Sequence, residues 1–187
     1  MQEVYEKCPE FENEKYKLRF VSQDDCTDLL KVYSDLKAVP FFNSDNCGGD
    51  DFYYSTMERM KEAIEYWIFE YNRKGFVRWS IFNKEKAEVI GTIELFQRNS
   101  HDYFTECGLL RLDLRSDYEN EVAIKEILSL IISPTFELFK CNKIATKAIA
   151  KATERINALE KIGFSLSSEK LIGHNGTPYC SYFVLNS

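Results

Sequence analysis

The clearest alternation of apolar and polar side chains in the sequence lies in residues 107–115, CGLLRLDLR. Its leucines fall on one face and its charged side chains on the other, namely Leu110, Leu112 and Leu114 against Arg111, Asp113 and Arg115. A period of two residues is typical of a half-buried β-strand. Residues 16–22, YKLRFVS, alternate in the same way. Both segments are therefore predicted to be strands with one face in the core.

Four other segments have the apolar period of a helix, and two of them lie in the first half of the chain. Between residues 52 and 71 the apolar side chains recur at intervals of three, four and seven, which makes one stripe along a core-facing helix. Residues 23–36 predict a shorter helix, with Ser22 or Asp24 as the residue that caps its first turn. A loop rich in turn residues, 39–51, joins the two.

The other two helices are predicted in the second half of the chain. Residues 119–132 have a helical period, which we expect Pro134 to interrupt because proline lacks the amide hydrogen of the helical ladder. Residues 153–164 predict a helix that ends at Gly163, in the left-handed position that glycine adopts without strain.

The remaining apolar runs predict further strands. Residues 76–82 and 88–96 form a predicted hairpin around a polar turn. Other strands are predicted in residues 142–150, 164–168 and 180–186. The order is one strand, two helices, three strands that look antiparallel, a helix, a strand, a helix and two strands. No repeat or linker divides the sequence, so we expect a single domain over residues 1–187.

Composition narrows the classes of function. Hydrophobic residues make up 44% of the 187-residue chain and aromatic residues 14%, which argues against disorder. The net charge of -6 provides no basic surface, so we expect neither a nucleic acid nor an anionic membrane as partner. The first residues are acidic and contain no apolar signal segment, and no apolar run is long enough to span a bilayer. A cytoplasmic location is therefore predicted.

Cysteine and histidine offer little for metal or nucleophilic chemistry. The six cysteines never form C-x-x-C and are too sparse for a disulfide framework, so reduced, mostly buried thiols are expected. The two histidines, His101 and His174, have no second metal ligand at a typical spacing, and no metal site is predicted. A Ser-His-Asp or Cys-His enzyme would have to use one of these two histidines, without a glycine-rich nucleophile turn.

The order of elements and the phrase NALEKIGF, residues 157–164, together resemble the GNAT superfamily of acetyl-coenzyme A dependent N-acetyltransferases. The likeness is greatest to the branch that acetylates the N-termini of ribosomal proteins and similar amines, and it covers almost the whole chain. It implies a GNAT-like α/β (α+β) fold, with a mixed, mostly antiparallel central sheet flanked by helices. Two residues depart from the family pattern, since Ala152 replaces a frequent Asn and Leu159 replaces a frequent general-acid Tyr.

A third departure concerns the strand-to-helix turn that holds the pyrophosphate of the coenzyme in that family. The family motif there is Gln/Arg-x-x-Gly-x-Gly/Ala, whereas this chain has ENEVAI, residues 119–124. Glu119 takes the first position, Val122 the first glycine and Ile124 the second small residue. Their charge and branching oppose phosphate, and we interpret the turn as keeping the geometry but losing much of the phosphate chemistry. Alternatively, the acidic residues face the helix dipole and the branched residues simply pack.

The resemblance still implies which residues would contact acetyl-CoA, the expected cosubstrate. These coenzyme-contact positions are Leu112, Asp113, Leu114, Glu119, Asn120, Glu121, Val122, Ala123 and Ile124. The alternative, that Leu112, Asp113 and Leu114 are ordinary strand residues, stays open.

Acetylation of an amine needs a group that takes the proton of the ammonium, and a carboxylate is sufficient. Glu94 and Glu106 are the catalytic candidates, because their strands would border the acceptor pocket. Each could equally be a solvated charge on a strand. Residues 40–43, Tyr179 and His174 could line the acceptor side. Cys107 has no neighbour in sequence that would favour its thiolate, which argues against a covalent enzyme intermediate.

Two functions follow. The first is an acetyl-CoA-dependent N-acetyltransferase that acts on a small amine or a peptide amine by direct acyl transfer. The second is a catalytically degenerate GNAT-fold module that binds a ligand or a protein. Loops rich in acidic and aromatic residues, such as residues 43–54, favour a cationic acceptor, while the identity of the acceptor and a homodimer are left open.

Overall fold

The computed structural model describes residues 4–187 and contains four α-helices and ten β-strands within them. The helices are α1 Cys26–Tyr33, α2 Met57–Asn72, α3 Glu121–Leu138 and α4 Thr153–Ile162. The strands are β1 Phe11–Glu12, β2 Tyr16–Phe20, β3 Val77–Asn83, β4 Glu88–Arg98, β5 Cys107–Leu114, β6 Lys143–Lys147, β7 Ser165–Leu166, β8 Leu171–Ile172, β9 Pro178–Tyr179 and β10 Tyr182–Asn186.

Eight strands form one sheet, in the order β1-β2-β3-β4-β5-β6-β10-β7, and β8 and β9 form a separate hairpin. Each neighbouring pair in the large sheet is antiparallel except β5 and β6, which are parallel. Helices α1 and α2 cover one face of the sheet, and α3 and α4 cover the other. This arrangement confirms the mixed, mostly antiparallel sheet flanked by helices.

The parallel pair opens at one end. Strands β5 and β6 are paired from Cys107 and Lys143 to Leu110 and Thr146. Within the described residues, β5 then continues to Leu114 without a partner in β6. We call this gap the β5–β6 opening, and it faces the start of α3 on one side of the sheet.

Both faces of β5 are buried, which corrects the expectation of a half-exposed strand. The leucine face lies in the core, as predicted from the alternation of leucines, and it packs there with residues of α3. The charged face is also covered, because α1 and α2 lie over it, and Arg111 and Asp113 are 9% and 0% exposed. Alternation therefore identified the two faces but not the second layer of helices.

Helix α3 runs through Pro134, so the expected interruption is wrong. Proline removes one hydrogen bond of the ladder, yet Thr135 remains fully buried in the same turn. Its hydroxyl donates to the carbonyl of Ile131 at 2.7 Å. Packing of the apolar face outweighs the loss of one bond.

Two predicted helix boundaries are confirmed and one is shifted. Ser22 caps the first short helix by accepting from the amide of Asp24, and Gly163 ends α4 with a φ of 110°. Helix α2 begins at Met57 rather than residue 52, because Thr56 provides its N-terminal cap. None of the described helices has both the length and the apolar composition needed to cross a membrane.

Candidate functional site

A cavity of about 1000 Å³ lies on the α2 side of the sheet. Its walls are α2, the loop of residues 45–54, strands β3, β4 and β5, and the β8–β9 hairpin. The aromatic side chains around it are Phe52, Tyr54, Tyr66, Trp67, Phe76, Phe96 and Tyr182. A concave, aromatic-lined space of this size is typical of a small-molecule site.

Three charged side chains from neighbouring strands form the floor of the cavity. Arg78 of β3 is opposite Glu94 of β4, which is in turn opposite Arg111 of β5, so cross-strand register brings them together. Both arginines donate to the carboxylate of Glu94. Burial raises the pKa of Glu94, but the two guanidinium groups lower it further, and the net pKa lies below its ordinary value. Glu94 is therefore an ionised, weakly basic carboxylate.

A second row of polar groups supports this floor from below. Tyr33 donates to Asp113 at 2.7 Å, and Nη1 of Arg78 lies 3.1 Å from the same carboxylate oxygen. The guanidinium of Arg78 also stacks on Trp67, 4.1 Å from the ring centroid. Burial raises the pKa of Asp113 above its ordinary value. These contacts fix the orientation of Arg78 and place Asp113 in the packed layer.

The acidic side chains at the rim are neutralised by cations of the protein itself. Lys147 donates to both oxygens of Asp45, at 2.7 and 2.6 Å. The other rim pairs are Asp50–Arg59 at 3.0 Å, Glu70–Arg73 at 2.9 Å and Asp102–Arg98 at 2.5 Å. The rim pairs are charge-balanced, so the excess of acidic residues in the loop does not by itself create a cation site.

Both histidines of the sequence line the cavity, although they are far apart along the chain. The backbone amide of His174 donates to Asn46 at 2.9 Å, which fixes the β8–β9 hairpin against the loop of residues 45–54. Tyr179 lines a smaller neighbouring pocket together with His174. Within residues 4–187, no group of three or more His, Cys, Asp or Glu side chains could hold a metal ion.

The structure brings Glu94 to the cavity but leaves Glu106 outside its lining. Glu106 is exposed at the start of β5, and it accepts from the side-chain amide of Asn142 at 3.2 Å. The catalytic role of the two carboxylates stays a prediction. Cys107 is fully buried, and burial raises the pKa of its thiol to about 12, which disfavours a reactive thiolate.

The turn into α3 lies on the opposite side of the sheet, next to the β5–β6 opening. Asn120 caps the helix by accepting from the amide of Ala123 at 3.0 Å. The amide of Glu121 donates to the carboxylate of Glu154 at 2.9 Å. The first-turn amides of Glu121 and Ala123 are therefore bound to acceptors of the protein itself.

The two branched residues of this turn behave differently from each other. Ile124 is fully buried in the main core, while Val122 is 60% exposed. Ile124 thus packs, as in the alternative interpretation, whereas Val122 projects from the surface of the turn.

A buried ion pair spans the β5–β6 opening. Nε and Nη2 of Arg155 in α4 each donate to one oxygen of Glu119, both at 2.7 Å. Nη1 donates to the carbonyls of Leu112 at 2.9 Å and Phe41 at 3.1 Å. The side chains of Arg155 and Glu119 are 3% and 7% exposed. One guanidinium group thus connects β5, the loop after α1 and the turn into α3.

Comparison with known protein families decides the classification. The sequence profile of the acetyltransferase (GNAT) domain matches residues 16–165. The chain belongs to the GNAT acetyltransferase family. No curated protein matches the sequence with significant similarity.

Solved GNAT structures share the fold at low sequence identity. RimL, a ribosomal L7/L12 alpha-N-protein acetyltransferase in complex with coenzyme A, has a TM-score of 0.71 at 11% identity, over 95% of this chain and 98% of its own. The microcin C7 self-immunity acetyltransferase MccE, in complex with acetyl-CoA and AMP, has a TM-score of 0.70 at 12% identity, over 94% of each chain. Ribosomal-protein-S5-alanine acetyltransferase from Vibrio fischeri has a TM-score of 0.69 at 15% identity, over 94% of each chain.

The coenzyme-contact positions of this GNAT protein do not fit a pyrophosphate as the protein stands. The Leu112 carbonyl accepts from Arg155, and Asp113 extends into the layer beneath the cavity. Leu114 and Ala123 are buried in the core. Two amides of the first turn of α3 are bound as described, and the carboxylate of Glu119 stands at the Gln/Arg position of the family motif. Among these positions, the Glu119–Arg155 pair is the feature that sequence reasoning missed, because the two residues are 36 apart along the chain.

Proposed function

We propose that this protein is an acetyl-CoA-dependent N-acetyltransferase that acetylates a small amine or a peptide amine by direct transfer. The observation that carries the proposal is the cavity of about 1000 Å³ in a chain of the GNAT family. Strand β5 lines the cavity with one face, and the same strand forms one edge of the β5–β6 opening. An amine held in the cavity would therefore be next to the gap in the sheet through which an acyl group could be presented.

The side chains of the cavity suit an acceptor with an apolar body and a few polar groups. The aromatic residues supply surface for the body, and the paired charges of the rim supply both donors and acceptors. Because the acidic side chains of the rim are neutralised, we do not retain the preference for a cationic acceptor. RimL acts on a ribosomal protein according to its name, and this supports including peptide N-termini among the acceptors.

His174 is the group that we propose as acceptor of the amine proton. The carboxylates at the rim and floor are bonded to cations, whereas a neutral imidazole has a ring nitrogen that can accept a proton. His174 lies on the β8–β9 hairpin, beside the loop that carries Asp45 and Asn46. Acetyl-CoA would supply the activated acetyl group, while His174 takes the proton that the nitrogen loses as the amide bond forms.

The test is a screen for acetylated products with a panel of small amines and peptide N-termini, followed by measurement of kcat/KM for the best acceptor. His174→Gln is expected to lower kcat/KM by about 100-fold, because it removes the group that takes the proton of the amine. The matched variant is His101→Gln, which should lower kcat/KM far less. Equal kcat/KM values for the two variants would contradict the role of His174, and no turnover across the panel would contradict the proposed activity.

The Glu119–Arg155 pair favours a second candidate, a GNAT-fold module that binds a ligand without catalysis. In that case the cavity would bind a small molecule, while the β5–β6 opening stays filled by the pair. Titration of the unmodified protein with coenzyme A at low and moderate salt separates the two candidates. No measurable binding at millimolar coenzyme A, together with ligand binding in the cavity, would support the module.

A further inference from the structure

The guanidinium of Arg155 is the cation that borders the β5–β6 opening at Leu112, beyond the last residue of β5 that pairs with β6. Its Nη1 is bound to two main-chain carbonyls, which hold the side chain in place. The outer edge of the guanidinium, Nε and Nη2, is occupied by the two oxygens of Glu119. That edge forms two parallel hydrogen bonds, the geometry with which arginine also binds phosphate.

The position of Glu119 makes this pair relevant to a phosphorylated ligand. Glu119 directly precedes Asn120, the cap of α3, and it takes the first position of the family's pyrophosphate motif. The amides of Glu121 and Ala123 in that turn are bound to protein acceptors, so these two are not available to an anion. The Arg155 guanidinium is a donor of the right charge and shape at the same place.

We propose that Arg155 is the anion-binding residue of the β5–β6 opening, where it takes a phosphate of a phosphorylated acyl donor in exchange for Glu119. This inference rests on the proposed function, because it names the residue through which the acyl donor is held. Glu119 occupies the anion position of the ligand-free protein, and an incoming phosphate must displace it. Binding of the donor is then weakened by the competing carboxylate.

Calorimetric titration with coenzyme A at low salt tests the exchange. Glu119→Gln removes the competing charge and leaves the Arg155 contacts to Leu112 and Phe41, so coenzyme A should bind at least tenfold more tightly. The matched control is Glu126→Gln. This variant removes the same charge from a later turn of α3, at a residue outside the coenzyme-contact positions, and breaks the contact of Glu126 with the exposed Lys15. The control should change affinity by less than threefold.

A second ligand and a second variant separate anion binding from the removal of a steric obstacle. Pantetheine has no phosphate, so its affinity should not change in Glu119→Gln. The gain for coenzyme A should also disappear in the double variant Glu119→Gln with Arg155→Gln. If Glu119→Gln melts at a much lower temperature, Glu119→Asp provides a milder test, because it shortens the side chain by one methylene and keeps the charge. Glu119→Asp should tighten the binding of coenzyme A by about two- to fivefold.

Equal gains with coenzyme A and pantetheine, equal gains in the two glutamate variants, or a gain that persists without Arg155 would each overturn the inference. The titrations require no acetylation. A phosphate-dependent gain in Glu119→Gln without any turnover would leave this inference standing while the proposed function fails. If the unmodified protein acetylates an acceptor but Glu119→Gln shows no such gain, the proposed function stands and this inference fails.

Discussion

The cavity and the β5–β6 opening lie on opposite sides of strand β5. The cavity offers open space, whereas side chains of the protein fill the opening. The cavity is open, and its charged side chains are neutralised within its own walls. The opening is filled by an arginine and a glutamate that are almost fully buried. Under the proposed function, this difference implies that the acceptor side is ready for a ligand, whereas the donor side requires a rearrangement.

The two regions also use arginine differently. At the floor of the cavity, Arg78 and Arg111 share the carboxylate of Glu94, and Arg78 also pairs with Asp113, so removing the Glu94 charge would leave Arg111 buried without a carboxylate partner. At the opening, Arg155 has one carboxylate partner and two main-chain acceptors, so it can exchange the carboxylate for another anion. The first cluster is expected to stabilise the fold, and the second to bind a ligand.

The largest expected effect is the loss of stability in Glu94→Gln. Removal of one charge of a buried ion pair typically costs about 3–5 kcal/mol, because the partner stays buried without compensation. The exposed Glu106 provides the matched control, since Glu106→Gln should change the free energy of unfolding by less than about 0.5 kcal/mol. Chemical denaturation measures both. Equal, small effects would mean that Glu94 does not hold the floor together.

The next effect distinguishes the two branched residues of the turn into α3. Ile124→Ala should cost about 2–5 kcal/mol of stability, because it opens a cavity in the core. Val122→Ala should be close to neutral, since Val122 is 60% exposed. Thermal melting of the two variants gives the comparison. A destabilised Val122→Ala with a neutral Ile124→Ala would place the wrong residue in the core.

Sequence alone predicted most of the fold because the periods of its strands and helices are regular. The alternation in residues 107–115 identified β5 and its leucine face, and Gly163 identified the end of α4. Local pattern could not show that α1 and α2 would bury Arg111 and Asp113, because this burial depends on packing between segments that are distant in the sequence.

The candidate site was less predictable for the same reason. Glu94 was identified as a cavity residue, but its two arginine partners come from other strands and change its chemistry. The acidic loop around Asp45 suggested a cationic ligand, but Lys147 of β6 donates to Asp45 and neutralises its charge. Arg155 had no local signal, since its position in α4 is consistent with any amphipathic helix.

A smaller effect concerns acid stability at the rim of the cavity. Asp102 accepts from Arg98 and from the amide of Ile172, which join the β4–β5 connection to the β8–β9 hairpin. Burial raises its pKa, but these hydrogen bonds lower it more, so the pKa in the fold is below the ordinary value of 3.8. The stability that Asp102 contributes is therefore present above pH 3.8 and is lost as the pH falls through the folded pKa.

Asp102→Asn should cost about 1–3 kcal/mol at pH 7, because it weakens a charge-assisted network. The difference between the two proteins should shrink as the pH falls below 3.8, because the Asp102 carboxylate of the unfolded parent becomes protonated there while that of the folded parent stays ionised to lower pH. Denaturation curves between pH 7 and about 2 measure this difference. A constant difference over that range would mean that the Asp102 pKa is not lowered in the fold.

The most direct measurement of the central claim is a crystal structure of Glu119→Gln with coenzyme A. The account predicts a phosphate oxygen within hydrogen-bond distance of Nε or Nη2 of Arg155, with Nη1 still bound to the carbonyl of Leu112. Coenzyme A bound with its phosphates elsewhere, while Arg155 keeps its contact with residue 119, would contradict it.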